Sequence, residues 1–328
     1  MQCFLSKKEG DKVRCLACRH KCLIAEGKRG ICGVRENQKG KLELLVYGKV
    51  IAKHIDPIEK KPLYHFLPGS KIYSIGTVGC NFKCGFCQNF SISQEREIVG
   101  STLKPEQIAE EAKAYPSMAY TYNEPSIFFE FASDIAKVTK EKKQVFVSNG
   151  YFSEEALEKM DFVDAINIDL KSYNDKFYRQ QCGAQLRFVC ENIQKAKEKG
   201  IWIEITTLLI PGENDSEAEL REMARFLASV DPEMPWHISA FHPDYKMLDK
   251  RSTSFQDMLK AYNIAKEEKM AYVYLGNVDS QYNHTYCPKC NKVLIRREEF
   301  KTKVDGLQFD KKNARCKSCD HTIKGVWK

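Results

Sequence analysis

The chain has 328 residues, 43% of them hydrophobic, which is enough for one large domain with appendages or for two domains. Its formal net charge of +8 sits at the ends: residues 1–40 carry ten Lys/Arg against four Asp/Glu, and residues 287–328 carry twelve against five, so the middle is net acidic. No apolar run approaches the ~18 residues that cross a bilayer, and the opening MQCFLSKKEGDK is too short and too charged for a secretory signal; the reading is a soluble, cytoplasmic protein with no membrane partner, and only nucleic-acid binding stays open on charge.

Fourteen cysteines in a reducing compartment point to metal rather than disulfides. The first group lies in residues 1–40, read as an N-terminal metal-binding module. Its pattern is Cys15-x2-Cys18-x3-Cys22-x9-Cys32, with His20 inside. Four thiolates can hold zinc or a complete [4Fe–4S] cluster. Zinc is the first reading here, with an auxiliary cluster as the alternative and His20 beside the site rather than in it. Residues 41–70 are a linker segment that packs on the barrel of residues 71–286. In that barrel a βα rhythm sets in, with strands expected at 71–75, 118–122, 144–148, 165–170, 201–209, 236–240 and 272–276. Helical stretches follow the first six, such as 105–115 and 127–142. Ser254 and Asp257 mark a helix start before 258–265. Repeated βα units imply an α/β fold with a parallel sheet, curled into a partial (β/α)6 barrel of the TIM type, with its site at the carboxyl ends of the strands.

The first expected strand runs into Gly79-Cys80-Asn81-Phe82-Lys83-Cys84-Gly85-Phe86-Cys87. Three thiolates in one loop fall short of the four ligands of a structural zinc site. They can hold three irons of a [4Fe–4S] cluster and leave the fourth open to a chelating molecule. The alternative is zinc completed by a distant His65 or His242. Tyr122-Asn123-Glu124-Pro125 ends the second strand, where Glu124 and Asn123 can accept from an ammonium or simply cap a helix. Ser148-Asn149-Gly150 ends the third. Asp169 and Lys171 flank Leu170 at the end of the fourth and project to one face; a surface ion pair is the other reading. Thr206 and Thr207 end the fifth, and His242 follows the sixth. Residues 287–328 close the chain with Cys287-x2-Cys290 and Cys316-x2-Cys319, a zinc-ribbon pattern in which Asn291 and Asp320 follow the two knuckles. Cys3, Cys182 and Cys190 lack ligand spacing and are read as buried thiols.

The motif at 80–87 resembles the radical S-adenosylmethionine (SAM) superfamily, and the likeness extends over the whole βα region. It implies a [4Fe–4S] cluster on Cys80, Cys84 and Cys87 as the catalytic centre. That cluster would cleave SAM reductively to a 5′-deoxyadenosyl radical that takes hydrogen from a substrate. A reductant such as ferredoxin or flavodoxin is implied with it. By the same resemblance Phe86, Asn123, Glu124, Ser148, Asn149, Asp169, Lys171 and His242 stand where the family contacts SAM. The opening Cys15–Cys32 with Gly30-Ile31-Cys32-Gly33-Val34-Arg35, the run from Asp56 to Gly69, and the ending Gly325-Val326-Trp327 are similar to the radical SAM member of the AmmeMemoRadiSam system. That group is related to pyruvate formate-lyase activating enzymes. The likeness implies Memo-like and AMMECR-like partners. No ferredoxin-type insert follows Cys87, a departure from many glycyl-radical activases. Two rivals stand beside this reading: an activase that places a glycyl radical on a partner enzyme, and a non-catalytic zinc-ribbon protein that binds nucleic acid.

Overall fold

A computed structural model describes residues 1–298, 301–310 and 313–328. Its centre is one eight-stranded sheet. In chain order the strands are β1 Ala52–Pro57, β2 Lys71–Gly76, β3 Ser117–Tyr120, β4 Lys143–Ser148, β5 Ala165–Asp169, β6 Trp202–Leu209, β7 Trp236–Ala240 and β8 Val273–Gly276. Spatial order follows sequence order, and every neighbouring pair from β2 to β8 is parallel. The two edge strands β1 and β8 do not pair with each other, so the sheet stops short of a closed barrel. Six α-helices of five or more residues fill the crossovers: α1 Pro105–Ala112, α2 Phe129–Val138, α3 Glu154–Glu158, α4 Leu186–Glu198, α5 Glu217–Val230 and α6 Phe255–Glu267. The result is the expected α/β class with six βα units, an added parallel strand, and an antiparallel strand at the leading edge.

Local chemistry explains the boundaries. The strands are short apolar or β-branched runs whose side chains face helices on one side and the barrel interior on the other, so β3 is buried throughout. Ser254 and Asp257 form a reciprocal capping box at α6, each side chain accepting the other's N–H. Ser153 and Ser216 cap α3 and α5. Each helix turns an apolar stripe inward; α2 buries Phe129, Phe131, Ala132, Ile135 and Ala136.

Two expectations shift. The strand read to 122 ends at Tyr120, because Tyr122 turns into the left-handed region at φ 70°. Its hydroxyl donates to Asp56 on β1 at 3.0 Å. The linker segment 41–70 also contains β1, paired antiparallel along the whole of β2 with Ala52 opposite Gly76 and Pro57 opposite Lys71. Alternation along 52–57 is weak, since most of its residues are only partly buried, so periodicity carries no strand signal there.

The terminal segments are small antiparallel hairpins. Ser6–Glu9 pairs with Lys12–Cys15, and Arg35–Gln38 with Lys41–Leu44. At the far end, Thr285–Tyr286, Val293–Glu298 and Lys301–Val304 make one sheet, and Leu307–Asp310, Asn313–Cys316 and Thr322–Ile323 another. Asn291 and Asp320, which follow the knuckles, both adopt positive φ (57° and 58°). Both ends dock on the barrel. Arg35 reaches Glu130 of α2 at 2.5 Å, and Arg297 donates to the Tyr64 carbonyl at 2.6 Å. Among the described residues no helix is long and apolar enough to cross a membrane.

Candidate active site

The cysteine loop leaves β2 at the carboxyl end of the sheet and is held on every side. Gly79 enters it at φ 86°, and a Cβ there would stand 2.5 Å from the Cys32 carbonyl oxygen, so only glycine fits. The Asn123 amide donates to Thr77 Oγ1 and the carbonyls of Val78 and Gly79 at 2.9, 3.3 and 3.0 Å. The Asn149 amide donates to Asn81 Oδ1 at 2.8 Å and lies 3.9 Å from Cys80 Sγ. Lys83 and Gly85 donate their N–H groups to the carbonyls of Cys182 and Gln181. Cys87 Sγ sits 3.1 Å from Ser93 Oγ.

Above the loop is a cavity of about 410 Å³. Cys80, Cys84, Cys87, Phe86, Asn123, Glu124, Asn149, Asp169, Lys171 and Thr206 all line it. Residues spread over more than 120 positions therefore meet at the carboxyl ends of β2 to β6. Glu124 is fully buried and accepts from the N–H groups of Ser126 and Asn149 and from the Ser148 hydroxyl. Burial pushes its carboxyl up from the usual range, with those donors working the other way. It caps the short 3-10 helix Pro125–Phe128 as well as facing the cavity, so both readings of this motif hold. Ser148 stands behind Glu124 and is not itself on the cavity wall. Lys171 and Asp169 pair at 3.1 Å. Burial opposes the Lys171 charge, but Asp169, Cys84 and Cys182 outweigh it and hold the ammonium. Thr206 faces the cavity, while Thr207 turns to the Leu170 carbonyl and Trp236. His242 is exposed beside the rim, its Nδ1 3.2 Å from the Gln88 amide.

Sequence reading missed four features. Cys182, read as an ordinary buried thiol, is a neighbour of Cys84 and, with burial, pushes its thiol up. It ends a π-helical turn, Tyr178–Cys182, a geometry often found at functional sites. Asn81 Nδ2 is buried beside Cys80 with no partner. The His20 ring is turned to the Asn81 carbonyl at 2.9 Å. Finally, a second chamber of about 870 Å³ adjoins the first and shares Lys60, Lys61 and Tyr122 with it. Only Asn81 carried a local cue, its place inside the cysteine loop; the rest depend on tertiary approach.

The terminal cysteines differ. Sγ atoms of Cys287, Cys290, Cys316 and Cys319 all lie within 4.8 Å of one another. Cys287 and Cys319 are 3.6 Å apart, as are Cys290 and Cys316. A tetrahedral ion with ~2.3 Å bonds to sulfur needs sulfurs ~3.8 Å apart, so this set can bind a metal ion. Cys15, Cys18, Cys22 and Cys32 converge in one module but do not meet the same spacing.

Residues 74–227 match the family model described as the Radical SAM superfamily. An uncharacterized protein of Methanocaldococcus jannaschii is 42% identical over 98% of this chain and 97% of its own length. The chain belongs to the radical SAM superfamily. A second relative from that organism, named "Putative glycyl-radical enzyme activating enzyme", is 28% identical over 67% of this chain and 84% of its own. Among solved structures, a radical SAM methyltransferase from Sphaerobacter thermophilus superposes with a TM-score of 0.51 at 14% identity, covering 70% of this chain and 71% of that one. Radical SAM proteins are enzymes, and membership implies a [4Fe–4S] cluster and SAM as cofactors. The residues present fit such a cluster. Three thiols of one loop face the cavity, and the unpartnered Asn81 Nδ2 beside them is a donor that a cluster sulfide can take.

Proposed function

We propose that the chain cleaves SAM with a cluster held by Cys80, Cys84 and Cys87, and uses the resulting radical on a substrate in the adjoining chamber. The observation that carries this is the convergence of three loop thiols with Glu124, Asn149, Asp169 and Lys171 around one cavity. Cys80, Cys84 and Cys87 would hold a [4Fe–4S] cluster, which would supply the one-electron reduction that splits SAM into methionine and a hydrogen-abstracting 5′-deoxyadenosyl radical. The chain's own residues position and enclose. Asn123 fixes the loop backbone, Asn149 holds the Asn81 side chain beside Cys80, Glu124 presents a carboxylate to a cationic group, and the Lys171–Asp169 pair offers donor and acceptor to a polar one. Phe86, buried against Phe177 and 5.7 Å from the Lys171 ammonium, walls off water. His242, at the rim, is the outermost of the residues assigned to SAM. Reduction by a ferredoxin or flavodoxin belongs to the same proposal.

Within the superfamily, the terminal modules and the 56–69 run favour the AmmeMemoRadiSam-system enzyme, with Memo-like and AMMECR-like partners and zinc in the C-terminal module. A second reading, a glycyl-radical activase, is supported by the activase-named relative. In anaerobically reconstituted protein, reduction in the presence of SAM is expected to yield 5′-deoxyadenosine, and Cys84→Ala to abolish it. Product from Cys84→Ala would overturn the assignment. A glycyl signal in electron paramagnetic resonance (EPR) on a co-incubated partner, in place of a small-molecule product, would select the activase.

A further inference from the structure

We infer that Cys15, Cys18, Cys22 and Cys32 hold a second [4Fe–4S] cluster, and that it relays electrons to the one on the Cys80 loop. The inference rests on the proposed function for its destination but not for its ligands.

The four thiols are free and belong to one small module. Cys15, Cys18 and Cys32 are buried and Cys22 is half-buried. Local geometry gathers them. Cys15 N–H donates to the Cys22 carbonyl at 2.9 Å, and Lys21 N–H to the Cys18 carbonyl at 3.0 Å. The Gly30 backbone lies beside Cys22, so that a Cβ there would be in ordinary contact with Cys22 Sγ at 3.6 Å.

Their spacing separates them from the other end of the chain. The C-terminal sulfurs are packed as one tetrahedral ion requires. Among the described residues no other set of three or more ligand atoms lies within that 4.8 Å, and this holds for the N-terminal four as it does for Cys80, Cys84 and Cys87. A cubane spreads its thiolates one to a corner, whereas a single ion draws them together. The N-terminal set is therefore mostly buried and, like the loop trio, more widely spaced than the C-terminal set that fits one tetrahedral ion. His20 does not tighten it: its Nε2 is turned to the Asn81 carbonyl, and among the described residues no set of three or more ligand atoms that includes His20 lies within 4.8 Å.

Position then gives the set a task. The Cys32 carbonyl lies against Gly79, and His20, between Cys18 and Cys22 in sequence, is hydrogen-bonded to the residue after Cys80. The His20 ring also packs on Tyr151, which packs on Phe82 of the loop. One hydrogen bond and a few covalent links thus join the two cysteine sets. In the relay a ferredoxin-class donor is oxidised by one electron, the N-terminal cluster is reduced and reoxidised, and the electron reaches the loop cluster with no net change in the relay.

The test is metal analysis and EPR on the full chain, reconstituted anaerobically, beside the triple variant Cys80→Ala/Cys84→Ala/Cys87→Ala. About eight irons are expected in the parent and about four in the triple variant, whose reduced signal is blind to added SAM. About four irons with two zinc ions in the parent, and none in the triple variant, would overturn it. If the triple variant does not fold, Cys18→Ala/Cys22→Ala is the second arm, expected to lose about four irons while still cleaving SAM with dithionite but not with the ferredoxin-class donor; unchanged donor-driven cleavage would sink the relay. Eight irons without 5′-deoxyadenosine would instead count against the proposed function and leave the second cluster standing.

Discussion

Cys84 and Cys182 are neighbours, the Lys83 N–H donating to the Cys182 carbonyl, but are expected to behave differently when removed. Cys84 faces the cavity, whereas Cys182 is fully buried behind it on the π-helical turn. Cys182→Ala should keep the iron bound by the loop and change only its reduction potential, through loss of a thiol beside a ligating sulfur. Cys84→Ala should lose that iron. Iron analysis with a potentiometric titration of both variants checks this; iron loss from Cys182→Ala would make it a ligand. Gly150 supplies a stability test in the same shell. It sits at φ 70°, and a Cβ there would approach Ile168 Cγ2 to 2.7 Å. Gly150→Ala should cost about 1–3 kcal/mol in denaturant unfolding, and an unchanged midpoint would contradict the packing described. Legibility at this scale followed chain locality. Asp169 and Lys171 were readable because strand alternation puts them on one face. Cys182 was not, because its partner is about a hundred positions away and its spacing resembles no ligand motif.

Among elements, the docking of the N-terminal hairpins on α2 is the most exacting contact. Arg35 and Glu130 are a buried ion pair, 1% and 0% exposed. Arg35 also donates to the Ile127 and Ser126 carbonyls, and Glu130 accepts from the Leu5 N–H. Arg35 thus grips both α2, through Glu130, and the 3-10 helix that Glu124 caps, through the Ser126 and Ile127 carbonyls, and ties the cysteine module to the cavity wall. Glu130→Ala leaves an uncompensated buried guanidinium and should destabilise the chain by roughly 3–5 kcal/mol, measured by chemical denaturation. A loss under ~1 kcal/mol would place the pair among ordinary surface bridges. The seven parallel strands and six helices were readable from βα rhythm, and the α6 capping box from Ser254 and Asp257. β1 was not, since a partly exposed edge strand of charged and β-branched residues shows neither alternation nor an apolar run.

Across the whole molecule, His65 joins the barrel to the C-terminal module. Its Nδ1 donates to the Lys324 carbonyl at 3.0 Å, so Nε2 accepts from the Tyr274 hydroxyl at 2.6 Å. That arrangement satisfies the neutral ring, and burial lowers its pKa from 6.5 to about 4. The folded state resists protonation while the unfolded chain accepts it. Stability from His65 is therefore complete above pH 6.5 and declines as pH falls toward 4, by on the order of 3 kcal/mol. His65→Gln should start less stable and lose less across that window; parallel pH profiles for the two proteins would contradict the assignment. Metal removal acts on the same junction. Arg297, which grips the Tyr64 carbonyl and Thr285, belongs to the hairpin that the Cys287–Cys319 set staples. Chelation or Cys319→Ser should lower the melting temperature, as calorimetry would show.

The catalysis proposed for this chain would depend on an iron that the Cys80 loop leaves open to SAM. EPR of the reduced, reconstituted protein, recorded with and without SAM, tests that most directly. The loop cluster's signal should change on adding SAM in the parent and be missing, with or without SAM, in Cys84→Ala. A fully loaded loop whose spectrum is indifferent to SAM would contradict it.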